Sequence, residues 1–210
     1  MQSCRIRSLI LVSIASVLAL AASTALAEEA ISVTVDASKT QQKLLHAHLV
    51  MPVKPGPLTL YYPKWIPGEH GPDGPIANLT GLKFEADGKI IPWERDLLDV
   101  FTFHLEIPRG VSHLNVNFDV IEPDGASATD KLMVLEWNEV VLYPADVPAE
   151  KLSYEAKLVM PDGWKFGTAL PVENAPGNQV SFKPISLDLL VDSPVITGEF
   201  YRSIDLTPPG

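Results

Sequence analysis

Apolar and polar residues alternate with a period of two along most of this chain. Ile31, Val33 and Val35 are interleaved with Ser32, Thr34 and Asp36, and Phe101, Phe103, Leu105 and Ile107 with Thr102, His104 and Glu106. The clearest run sets Leu114, Val116, Phe118 and Val120 against His113, Asn115, Asn117 and Asp119. Successive side chains of a strand point to opposite faces, so each run predicts one apolar and one polar face, as half-buried antiparallel sheet requires. Further strands are predicted over residues 44–51, 58–62, 82–86, 89–93, 132–136, 139–143, 152–160, 179–183 and 195–202. Asp87-Gly88 separates two of them and suits a type I′ hairpin, while Pro108-Arg109-Gly110 reads as a second hairpin turn. Residues 186–191 predict one short helical turn. The pattern thus predicts an all-β chain, an antiparallel β-sandwich of two sheets with a long proline-rich loop and at most that one turn of helix.

Composition sharpens this picture. Of 210 residues, 46% are hydrophobic, enough for a packed core. The 16 Lys and Arg face 26 Asp and Glu, a formal charge of -10. With no basic cluster, nucleic acid and anionic membrane surfaces are excluded as partners. Prolines number 19 against 13 glycines, which argues against a helical bundle. Seven of them, Pro52, Pro55, Pro57, Pro63, Pro67, Pro72 and Pro75, crowd residues 51–75. Proline cannot donate to a sheet ladder, so an edge or a long structured loop is expected there.

The ends read differently from the middle. Arg5 and Arg7 precede an apolar stretch over 9–22, followed by Ala25-Leu26-Ala27 and two glutamates. This is the layout of a secretory signal peptide, with cleavage expected after Ala27. The stretch is shorter than the roughly 20 residues that cross a bilayer core. Cleavage would remove Cys4, the only cysteine, so the exported domain, periplasmic or secreted, would be held by its core with no disulfide. Residues 28–203 are expected to form the sandwich and 204–210 to begin a linker, with no membrane contact after cleavage.

Familiar catalytic patterns are missing. There is no H-E-x-x-H, no G-x-S-x-G and no phosphate-binding glycine loop. No catalytic or metal-ligating residue is therefore assigned. His46 and His48 share a strand face and so have chelating spacing, but they read as solvent-facing polar positions between Leu45, Ala47 and Leu49. Glu69-His70 offers a carboxylate–imidazole pair suited to acid–base work, set in a Gly/Pro loop where polar residues are common. Asp188 reads as a cap for the short helix. Trp65, Trp93, Trp137 and Trp164 read as core and edge anchors rather than a sugar platform.

Three ordered segments carry a resemblance. Pro63-Lys64-Trp65-Ile66-Pro67-Gly68 resembles the P-x-W-x-P-G motif in the N-terminal domain of the glycyl-aminopeptidase family of zinc metallopeptidases (peptidase family M sixty-one). Met160-Pro161-Asp162-Gly163-Trp164 with Thr168-Ala169-Leu170 is similar to an internal strand of that domain. Leu189-Leu190-Val191-Asp192-Ser193-Pro194-Val195, followed by Gly198, resembles its closing L-V-D-S-P motif. Physically, Pro67-Gly68 fits a type II turn, Trp65 beside it is expected to bury its ring, and Ser193-Pro194 sends the chain extended into a last strand. The sequence departs from the family where Glu69-His70-Gly71 replaces a small residue and Tyr.

The resemblance implies a non-catalytic front domain of a zinc aminopeptidase, with the catalytic domain of the same parent chain as its partner. That domain would carry the zinc and H-E-x-x-H, and a peptide would be the substrate. Pro63, Trp65, Pro67, Gly68, Trp164, Asp192, Ser193 and Pro194 would be structural or lie at the domain interface, and Glu69 and His70 on the substrate side. The alternative is a stand-alone periplasmic module binding a peptide, glycan or protein partner.

Overall fold

The structure, a computed structural model, describes residues 29–122 and 127–206. The expected signal peptide and residues 207–210 of the expected linker lie outside the described residues. Sixteen strands follow one another here: β1 (Ile31–Asp36), β2 (Leu44–Pro52), β3 (Gly56–Tyr61), β4 (Leu79–Ala86), β5 (Lys89–Ile91), β6 (Trp93–Arg95), β7 (Thr102–Ile107) and β8 (His113–Ile121). The second half holds β9 (Leu132–Leu135), β10 (Tyr143–Pro144), β11 (Ser153–Val159), β12 (Lys165–Gly167), β13 (Val172–Asn174), β14 (Gln179–Phe182), β15 (Ile185–Ser186) and β16 (Val195–Gly198). The one α-helix among the described residues, α1 (Leu187–Val191), falls where a helical turn is predicted.

The all-β class holds, with three sheets instead of two. A nine-stranded sheet runs β13-β14-β11-β1-β2-β8-β4-β5, with β15 beside β11. A four-stranded sheet has the order β10-β3-β7-β6 and a three-stranded one β12-β16-β9. The alternation read from sequence decides which side faces in. Val33, Val35, Leu45, Leu49, Leu114, Val116 and Val120 are completely buried, and so are Leu60 and Phe103 of the four-stranded sheet and Met133 and Leu135 of the three-stranded one. All belong to a single core. The polar positions of β1, β2 and β8 form the large sheet's outer face.

Several local expectations fail for identifiable reasons. Pro108-Arg109-Gly110 does make a turn, with Gly110 at φ 87° and Val111 N–H donating to Pro108 O at 3.3 Å. It is not a hairpin: β7 pairs with β3 and β6, whereas β8 pairs with β2 and β4. The turn carries the chain from one sheet to another. Residues 139–143 are not a strand either. A 3-10 turn spans Trp137–Glu139, and Val140, Val141 and Leu142 are buried without sheet partners before the two-residue β10. The last strand stops at Gly198, and β1 lies parallel to β11 in an otherwise antiparallel sheet. Asp188 is not the helix cap; Ser186 holds that position and Asp188 lies in the first turn.

Asp87-Gly88 behaves as expected. Both residues have positive φ, 49° and 72°, the signature of type I′, and Ala86 faces Lys89 across the turn.

Candidate functional site

The proline-rich loop leaves β3 at Tyr62-Pro63 and is closed by close backbone contact. Gly74 N–H donates to Lys64 O at 3.2 Å. A Cβ on Gly74 would lie 2.0 Å from Pro63 O, so only glycine permits the closure. Lys64 extends it outward: its Nζ lies 3.0 Å from Asp99 Oδ2 and 5.3 Å from the centre of the Phe101 ring. The type II turn forms as predicted, with Glu69 N–H donating to Ile66 O at 3.0 Å and Gly68 at φ 87°. Trp65 does not bury its ring; it is 66% exposed. Lys64 and Gly74 fix the loop, leaving the indole free to face solvent. Pro67, Gly68, Glu69 and His70 are all exposed, whereas Pro63 is buried.

Beside this loop, Asp96 orders its own turn. Its Oδ1 accepts from the N–H groups of Leu98 and Asp99 at 2.8 and 2.9 Å, and its Oδ2 lies 2.9 Å from His104 Nε2. The hydrogen bond with His104, followed by those two backbone donors, lowers the carboxyl to about 2. Asp99 is lowered as well, chiefly by Lys64.

The other motif residues form a separate group. Trp164 is buried at the entry to β12, which pairs with β16. Thr168 Oγ1 donates to Ser193 O at 3.5 Å and accepts from Leu170 N–H at 3.2 Å. Ser193 N–H donates to Leu190 O, closing α1, while Asp192 and Pro194 are exposed. The second and third motifs therefore meet. Among the described residues, no hydrogen bond, ion pair or ring contact links them to Pro63–Gly68.

His46 and His48 are exposed on the outer face, with His46 Nδ1 2.6 Å from Asp119 Oδ1 and His48 Nε2 3.3 Å from Asn115 Oδ1. They border an open hollow of about 370 Å³. No group of three or more His, Cys, Asp or Glu among the described residues could hold a metal ion. The donors present do not fit a zinc site.

One cluster was not singled out from sequence. Glu122 is 5% exposed and Tyr62 completely buried. Ser127 Oγ donates to Glu122 Oε2 at 2.8 Å, and among the described residues the Tyr62 hydroxyl meets no donor or acceptor. Glu139 is half-buried against them. Burial first, then the proton shared with Glu122 and the charges of Glu122 and Glu136, raise its carboxyl to about 9. Beside them burial pushes the Tyr62 phenol far above its ordinary range. The sequence did carry a signal. Glu122 continues the inward parity of Leu114 to Val120, and Tyr62 that of Leu60.

Three sheets around one core and a proline-rich loop closed on glycine define an all-β module. Residues 32–199 match the Peptidase M61 N-terminal domain, and the chain belongs to that family. Among solved structures it is similar to an aminopeptidase N family protein from Idiomarina loihiensis, at 19% identity and a TM-score of 0.70, covering 80% of this chain and 29% of that one. It is also similar to native leukotriene A4 hydrolase from Saccharomyces cerevisiae, at 13% identity and a TM-score of 0.52, covering 87% of this chain and 30% of that one. The chain therefore spans about three-tenths of these structures' length. No curated protein matches by sequence.

Proposed function

We propose that this chain is the non-catalytic N-terminal module of an exported zinc aminopeptidase, which packs on the catalytic domain of its parent chain and helps to shape the cleft for a peptide substrate. Zinc and the hydrolytic groups belong to that catalytic domain. The match of residues 32–199 to the Peptidase M61 N-terminal domain carries the reading. An apolar strip supports it: Ile196, Phe200, Ile204 and Leu206 are 47%, 77%, 72% and 87% exposed. A groove of about 490 Å³ lies along Leu132, Ile196, Phe200 and Tyr201. Exposed apolar surface of this kind marks a contact with another body.

The test is hydrolysis of aminoacyl-p-nitroanilides by the purified chain with and without zinc. No turnover is expected, and zinc-dependent turnover would overturn the reading. Sequencing the DNA beyond codon 210 complements it. An open frame encoding H-E-x-x-H is expected, whereas a stop followed by an unrelated gene favours a stand-alone binding module.

A further inference from the structure

We infer that Trp65, Leu97 and Leu98 form a second contact of this module with the catalytic domain of its parent chain, separate from the strip around Phe200. The inference rests on the proposed function and deepens it by naming what covers the proline-rich loop. It starts from a hairpin tip. Strands β6 and β7 pair from Trp93 opposite Leu105 to Arg95 opposite Phe103. The turn between them carries Leu97 and Leu98, each 98% exposed. Two adjacent leucines left so fully in water protrude from the surface. Apolar residues exposed singly are ordinary, but this pair is joined by Val100 and Trp65, both exposed.

The tip is rigid before any partner arrives. Besides the bonds that Asp96 accepts, Asp99 Oδ1 accepts from Phe101 N–H at 3.2 Å and Arg95 Nη1 donates to Val100 O at 3.0 Å. Thr102 N–H donates to Asp99 O at 3.0 Å. Lys64, bonded to Asp99, ties this turn to the loop that bears Trp65. Trp65 therefore stands next to one end of that contact and Leu98 next to the other. Surfaces ordered in advance lose little conformational freedom on binding. Asp96 and Asp99 already hold His104 and Lys64, so covering the tip strands neither carboxylate without a partner.

Shape and length select the occupant. Small ligands bind in concave sites, and a protruding apolar tip instead fits a pocket on another folded body. This chain spans about three-tenths of the length of the two similar structures. The greater part of a protein of that size lies outside this module and is available to receive the tip.

The experiment is hydroxyl-radical footprinting read by mass spectrometry. It compares the 210-residue chain with the parent polypeptide encoded by the frame that continues past codon 210. Relative to exposed Ile90 of the nine-stranded sheet, oxidation of Trp65, Leu97 and Leu98 is expected to fall about fivefold or more in the parent, as at a water-excluding interface core. Leu97→Ser combined with Leu98→Ser is expected to restore Trp65 oxidation severalfold in the parent. The same pair should leave the urea midpoint of the 210-residue chain unchanged, since such exposed sites contribute little to folding. Unchanged oxidation of Trp65 and the leucines overturns the inference; where Phe200 and Leu206 are protected in the same parent, the proposed function stands. Trp65 still protected in the folded double-serine parent removes the leucines from the contact and overturns the inference as stated. Protection that grows with the concentration of the shorter chain assigns the tip to a second copy and also overturns it. A stop followed by an unrelated gene defeats the proposed function, and this assignment falls with it.

Discussion

Two single residues show how much one atom decides in this fold. Gly74 seals the proline-rich loop because its missing Cβ is what lets Pro63 O approach. Gly74→Ala is expected to destabilise the domain by about 1–3 kcal/mol through overpacking, read as a lower urea midpoint at unchanged slope. Glu139 acts through its proton. Its folded pKa, about 9, stands above the ordinary 4.5. Between those values the native state holds more protons than the unfolded chain, so its contribution is complete below about 4.5 and is lost as pH rises towards 9. The melting temperature should fall from pH 5 to pH 8, and Glu139→Gln should flatten that decline. Asp96 works in the opposite sense and in a different window. Its carboxyl is lowered to about 2, so the contribution it makes above about 3.8 is lost only in stronger acid, where Asp96→Asn should reduce the acid sensitivity of melting. Parity along β8 and β3 makes Glu122 and Tyr62 legible as inward residues. Nothing local reveals Glu139, because its position depends on a 3-10 turn that apolar alternation does not predict.

At the scale of elements, strands whose alternation is strict are placed correctly, whereas residues 139–143, apolar without alternating, are not a strand. β8 pairs through all nine of its residues with β2, as its clean alternation predicts. The stretch after Trp137 is apolar without alternating, and it is buried by crossing the core rather than by joining a ladder. Its anchor is Tyr154, whose hydroxyl donates to Leu142 O at 2.8 Å in a buried position. Tyr154→Phe leaves that carbonyl unmatched and should cost about 1–3 kcal/mol, measured by chemical denaturation. Local turn chemistry is similarly divided. Asp87-Gly88 dictates a hairpin because both φ values must be positive. Pro108-Arg109-Gly110 dictates only a change of direction, and the choice of sheet on either side is made by packing that the turn does not encode. Trp65 shows the same limit: an aromatic beside a proline turn suggests burial, yet the loop is fixed through Lys64 and Gly74.

For the molecule as a whole, the uneven feature is where apolar surface remains outside. The core takes in both small sheets, but Ile196, Phe200, Ile204 and Leu206 stay uncovered near the end of the described chain. Replacing Phe200 and Leu206 by serine should lower binding of a hydrophobic dye and raise solubility, with a melting temperature within about 2 °C of wild type, since exposed sites contribute little to folding stability. A comparable loss of melting temperature would show that the strip packs on its own domain.

The parallel pairing of β1 with β11 has a consequence in time. Ile31 aligns with Tyr154 and Asp36 with Val159, so the large sheet cannot close until the chain has been made well past its middle. Such distant closure is slow compared with local pairing. It also leaves no early fragment able to fold by itself: a nascent chain ending before β11 would keep one side of β1 as an open edge, available to chaperones or to another copy. Pulse-labelled hydrogen exchange should find the β1 amides that face β2 protected early, with those that face β11 gaining protection together with β11.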